Sequence, residues 1–162
     1  MAGFVFNISR GKAAEYHARV DGNDPANSAL ILVVLREAAL ESDDVLRDYD
    51  TLSAILAAAN DEATNTNYAR KTLTDADIAA GTVDDTNDRV TLTFGTQTWT
   101  SVAAGDAWRK LLVCYDSDTT SGTDANIVPV TAHDMLISGA AIVPSGANIL
   151  WNPGDGYYRS SA

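Results

Sequence analysis

Two short apolar runs constrain this chain more than any other feature. Lys110-Leu-Leu-Val-Cys-Tyr115 and Ile127-Val-Pro-Val-Thr131 flank a polar stretch, Asp116–Asn126. Both runs are rich in β-branched or aromatic residues, and the stretch between them holds the Asp, Ser, Gly and Asn that turns require. A continuous apolar run this short fits a strand covered on both faces. Periodicity alone also admits a buried helix, and the flanking turn residues favour the strand. A third run, Ala29–Leu35, is unbroken and β-branched at its centre. It is expected to lie inside a sheet or at an oligomer interface, with core packing the favoured reading.

A chain of 162 residues, 46% of them hydrophobic, can bury a sizeable core without disulfides or metals. A single domain is expected over 1–162, with N-terminal strands plus a helix in 1–67 and a β-rich part in 68–162. The 22 acidic and 11 basic residues give a net charge of −11, which repels phosphate backbones. The basic residues are scattered, with Arg70-Lys71 and Arg109-Lys110 the only adjacent pairs. No nucleic-acid partner is therefore expected. The lone cysteine, Cys114, lies within an apolar run and reads as a small buried hydrophobe. No apolar run approaches the ~20 residues of a membrane helix. The start, Met1–Phe6, lacks a basic segment followed by an apolar signal core. The expectation is a protein made in a cytoplasm, outside any membrane, that stays soluble or joins an assembly.

Phe4, Phe6 and Ile8 alternate with Val5 and Asn7, which predicts a strand ending near Arg10-Gly11. Lys12–Val20 is compatible with a helix or a second strand, and the turn-like Arg10-Gly11 before it favours the strand. Asp21-Gly-Asn-Asp-Pro25 is a loop. Ser42, Asp43 and Asp44 form a helix start, and Val45, Leu46, Tyr49, Leu52, Ile55, Leu56 and Ala59 recur at three- and four-residue steps. The spacing predicts one amphipathic helix over about 43–59. Thr74 and Asp77 resemble a capping box and predict a short second helix over about 75–80, stopped by Gly81. Beyond it come a turn at Asp84–Asp88, a half-buried strand at Val90–Phe94 and a hairpin turn at Gly95-Thr96 returning through Gln97–Val102. Short strands follow at Met135–Ile137, Ala141–Val143 and Ile149–Trp151. The tail sets Tyr157 and Tyr158 in a flexible stretch. The fold class expected is α+β, mainly β: an antiparallel β-sandwich or barrel.

Candidate chemistry is sparse. Asp116, Asp118, Thr120 and Asp124 offer oxygens for a hard cation, but an EF-hand count from Asp116 puts Ser121 where Gly belongs and Ile127 where Glu belongs. Asp84, Asp85, Asn87 and Asp88 form a second oxygen cluster without metal spacing. Ser138 lies close in sequence to His133-Asp134, yet there is no G-x-S-x-G and no phosphate-binding glycine motif. His17 has no Cys or second His nearby and reads as a surface or core-edge residue. No catalytic, cofactor-binding or metal residue is expected, no cofactor, and no enzyme.

Four segments carry a resemblance. Asp21-Gly-Asn-Asp-Pro-Ala-Asn-Ser-Ala-Leu-Ile-Leu32, Arg70-Lys-Thr-Leu-Thr-Asp-Ala-Asp-Ile-Ala79, Asp84-Asp-Thr-Asn-Asp-Arg-Val90 and Lys110–Thr131 resemble a family of small virion structural proteins of tailed bacteriophages. The likeness spans roughly residues 4 to 143. Members of that family are labelled variously as head decoration, head fibre or minor tail proteins. The resemblance implies a virion location, assembly in the host cytoplasm, and other virion proteins (major capsid or tail proteins) as partners. A capsid decoration protein that stabilises the particle is the first expectation, and a minor tail or fibre-base protein is the alternative. A homo-oligomer, with a trimer favoured, suits either. A soluble carbohydrate- or ion-binding module is a third reading. Exposure of Trp99, Trp108 and Trp151 would favour it, and their burial would disfavour it.

Overall fold

The computed structural model describes residues 3–161. Met1, Ala2 and Ala162, which the domain expectation includes, lie outside the described residues. Inside the main sheet lies β2 (Ala29–Arg36), an antiparallel neighbour of β7 (Trp108–Asp116) on one side and of β3 (Lys71–Leu73) on the other. β8 (Val128–Asp134) pairs antiparallel with β7, and β1 (Gly3–Val5) closes that edge. The order β1-β8-β7-β2-β3 makes one five-stranded sheet. The Asp116–Asn126 stretch does join two paired strands, and Ala29–Leu35 lies inside the sheet.

The unbroken apolar runs follow from burial on both sides, because successive side chains of a strand point to opposite faces. Leu30, Leu32 and Val34 of β2 join Leu111, Val113 and Tyr115 of β7 in one core cluster. Ala29, Ile31, Val33 and Leu35 join Leu112 and Cys114 in another. Pro129 lacks an N–H and stands where the β7–β8 register shifts, between Val113 and Cys114, which is where a sheet tolerates proline.

The second cluster is covered by Phe6 and by two short helices, α2 (Asp43–Leu46) and α3 (Leu52–Ala57), through Leu46, Leu52 and Ile55. The first is covered by α1 (Ala13–Asp21) and a second β layer. That layer holds β4 (Thr82–Asp84), β5 (Arg89–Leu92) and β12 (Tyr158–Ser161) in the order β12-β5-β4. It also holds β6 (Gln97–Trp99) paired with β11 (Ile149–Trp151), and a small hairpin of β9 (Leu136–Ile137) and β10 (Ala140–Ala141). All the pairings are antiparallel. The fold is α+β, mainly β, an antiparallel sandwich with α2 and α3 on its outer face. Among the described residues no helix is long and apolar enough to cross a membrane.

Several expectations need correction. The single helix over 43–59 is two helices, because Arg47–Thr51 leaves the helical path. The Arg47 carbonyl there accepts from Asn7 N–H, and Thr51 recaps the chain by accepting from Ala54 N–H. Lys12–Val20 is helical, not a strand: Ala13, His17 and Val20 fall on one buried face. The Thr74–Asp77 capping box is present, but it opens one 3-10 turn, Asp75–Asp77, and not a helix to 80. Ile78 turns extended and bridges Phe94. Gly81 stops no helix, and it packs so closely that a Cβ there would lie 2.8 Å from Leu92 Cδ2. The N-terminal strand ends at Val5, where a 3-10 turn over Asn7–Ser9 replaces it. β5 and β6 do not form a hairpin at Gly95-Thr96: β5 pairs with β4 and β12, and β6 pairs with β11. The tail is ordered, with Tyr157 in the core and Tyr158 opening β12.

Candidate functional site

The acidic loop between β7 and β8 spends its oxygens internally. Asp116 Oδ1 accepts from Asp118 N–H at 3.0 Å. Asp118 accepts from Thr120 Oγ1 at 2.6 Å and Ser121 Oγ at 2.7 Å, and these donors hold its carboxyl below the usual carboxylate range. Asp124 takes two hydrogen bonds from the Arg70 guanidinium, at 2.6 and 3.0 Å, and is likewise held low by them. Arg70 also grips Glu62, whose carboxylate accepts from the Tyr68 hydroxyl at 2.8 Å. The cluster is thus a clasp between residues 62–70 and the loop. The second oxygen cluster resolves the same way: Asp84 accepts from Asn87 at 2.8 Å and Arg89 at 2.9 Å. Among the described residues no group of three or more His, Cys, Asp or Glu is placed to hold a metal ion.

The residues with nucleophilic or acid–base chemistry are absorbed by packing. Cys114 is fully buried in β7, and burial pushes its thiol up, away from the reactive thiolate. His17 is a core residue and not a surface one. Its Nε2 lies 2.7 Å from the Ala79 carbonyl, which can only accept, so Nε2 donates there. Its Nδ1 lies 2.9 Å from the Tyr157 hydroxyl. Ser138, His133 and Asp134 do not assemble. Ser138 sits exposed in the β9–β10 turn, where it and Gly139 both take the positive φ that a type I′ hairpin requires. The Nε2 of His133 meets Thr131 Oγ1 at 2.9 Å, and Asp134 is bound to the buried ammonium of Lys110 at 2.6 Å. Lys110 also pairs with Asp43 at 2.8 Å, tying α2 to the sheet. The three tryptophans are 2%, 0% and 6% exposed at positions 99, 108 and 151, so none is a stacking platform for a sugar.

The surface, in contrast, offers places for contact. A groove of about 450 Å³ runs between the edge strands β1 and β12, with Phe4, His133 and Tyr158 among its lining residues. Another, of about 360 Å³, is lined by Leu136, Ile137, Ile142 and Leu150 along β9 and β11. Ile137, Val143 and Leu150 are 65%, 70% and 61% exposed. From Met135 to Gly154 no residue carries a charged side chain, in a chain whose charged residues make up 20% of the whole. Composition alone carries that signal, and a search for catalytic motifs passes over it. The arrangement can bury apolar surface against a neighbour. No family model matches the chain, and comparison with curated proteins and with solved structures also finds no match.

Proposed function

We propose that this chain is a structural component of a tailed bacteriophage virion, a capsid decoration or head protein that stabilises the particle and catalyses nothing. The observation that carries the reading is the segment-level likeness of Asp21–Leu32, Arg70–Ala79, Asp84–Val90 and Lys110–Thr131 to small virion proteins. What a particle component needs is a rigid fold that is independent of redox state and has surface left for neighbours. Support comes from the doubly covered central sheet, the buried unreactive Cys114 and the exposed Ile137, Val143 and Leu150. In this reading the protein works as a homo-oligomer, a trimer at three-fold positions, bound to the major capsid protein. The minor tail or fibre-base role is the alternative position on the same particle. The buried tryptophans count against a carbohydrate-binding module.

Mass spectrometry of gradient-purified particles tests the proposal. Decoration gives hundreds of copies per particle, and a tail site gives a few. A protein present in the infected-cell lysate and absent from mature particles would end the virion reading.

A further inference from the structure

We infer that the uncharged face built by β9, β10 and β11 is the surface through which copies of this chain meet one another. The inference rests on the homo-oligomeric part of the reading above and not on the virion location. Its first support is electrostatic. Each copy carries a net charge of −11, so two copies repel wherever their acidic surfaces approach. Met135–Gly154 carries no charged side chain, so on this stretch a second copy brings no like charges together. Asp134 is the one charged residue lining the groove, and Lys110 neutralises it at 2.6 Å. A basic partner would instead be drawn to the acidic surface elsewhere and gain nothing from this face.

The second support is the chemistry of the patch. Leu136, Ile137, Ile142 and Leu150 line one concavity, and Ile137 and Leu150 are left more than half exposed. Val45 and Val83 are also exposed but stand apart on α2 and β4, and isolated residues of that kind are ordinary. The third support is the strand edge. β11 pairs with β6 on one side and with no strand on the other among the described residues. Proteins commonly guard such an edge with charge. Here Ile149–Trp151 has no charged residue of its own or next to it in the sequence.

Light scattering and sedimentation of the purified full chain, over a wide range of concentration and salt, test this. The expected result is a discrete closed oligomer whose association strengthens as salt rises, because salt screens the like-charge repulsion and leaves apolar contact intact. Ile137→Asp and Leu150→Asp should each weaken association at least about tenfold without changing the melting midpoint. Val83→Asp, equally exposed but on β4, should leave it unchanged. Hydrogen exchange on the unmodified chain, dilute against concentrated, should show added protection within 136–151. An oligomer that ignores Ile137→Asp and Leu150→Asp, or that gains protection elsewhere, overturns the face and leaves oligomerisation standing. A monomer at every concentration overturns both. Neither result bears on whether the protein is found in particles, which the mass spectrometry decides separately. A variant that fails to fold leaves the exchange experiment to decide.

Discussion

Burial pushes the imidazole of His133 down to about 4, from an ordinary value of 6.5. Between those two values the unfolded chain binds a proton that the folded chain refuses. The stability tied to neutral His133 is therefore complete above 6.5, falls as pH drops toward about 4, and falls no further below it. By about pH 5 the loss should reach about 2 kcal/mol. The carboxylates held low by their donors, Asp84, Asp106, Asp118 and Asp124, act in a separate window, with stability lost only as pH falls below their ordinary value of 3.8. Urea denaturation at about pH 7 and about pH 5 should show that His133→Gln flattens the upper window. An unchanged slope would mean that the imidazole is not the group that titrates. The tryptophans give a second comparison at this scale. Trp108 Nε1 donates to Asn65 Oδ1 at 2.8 Å, whereas the buried Trp151 Nε1 finds no acceptor among the described residues. Trp108→Phe strands an acceptor in the core and Trp151→Phe strands nothing. The first should cost about 1–3 kcal/mol more than the second. Equal losses in denaturant unfolding would show that ring volume alone matters.

Among the elements, α2 and α3 show where sequence periodicity stops being informative. Val45, Leu46, Leu52 and Ile55 form a single stripe on paper, yet Leu46, Leu52 and Ile55 are fully buried and Val45 is 46% exposed. The break arises because Leu52 N–H donates to the Ile127 carbonyl and Ser53 N–H to that of Asp124. Those acceptors come from a loop far along the chain, and no local pattern encodes them. Leu52→Asp or Ile55→Asp should therefore cost about 4 kcal/mol or more, while Val45→Asp should stay within about 0.5 kcal/mol. Thermal melts of the three variants would separate this picture from one continuous helix, in which all three are costly. α1 was misread for a different reason: the turn-like Arg10-Gly11 before it favoured a strand over the helix on which Ala13, His17 and Val20 share one buried face. β2, β7 and β8 were legible because burial on both faces writes itself as unbroken apolar runs. The β5–β6 hairpin was misread because a glycine turn looks the same whether or not the strands beside it pair. The uncharged stretch Met135–Gly154 was passed over because its mark is the absence of charge and not the presence of a motif.

At the scale of the molecule, the order of the central sheet interleaves the two parts of the chain. β1 and β2 come from residues 1–67, and β3, β7 and β8 come from 68–162. β2 has β7 on one side and β3 on the other, and β1 pairs only with β8, so the strands of the first part make no pair with each other. The cover over the sheet is shared in the same way. Phe6, Leu46 and Ile55 from the first part pack with Leu112 and Cys114 from the second, and Arg70 binds both Glu62 and Asp124 across the division. Neither part can bury its apolar strands alone. Residues 1–67 should therefore be unfolded in isolation, and the whole chain should unfold in one step, with equal calorimetric and van't Hoff enthalpies. Because β1–β8, β2–β3, β2–β7, β5–β12 and β6–β11 join residues far apart in the sequence, refolding should be slow for a domain of this size, in the range of milliseconds to seconds. Circular dichroism of the isolated 1–67 and 68–162 fragments, separately and mixed, would check the first claim, and scanning calorimetry of the full chain the second. A folded 1–67 fragment, or two resolved transitions, would mean that the strands of the first part find partners other than β7, β8 and β3.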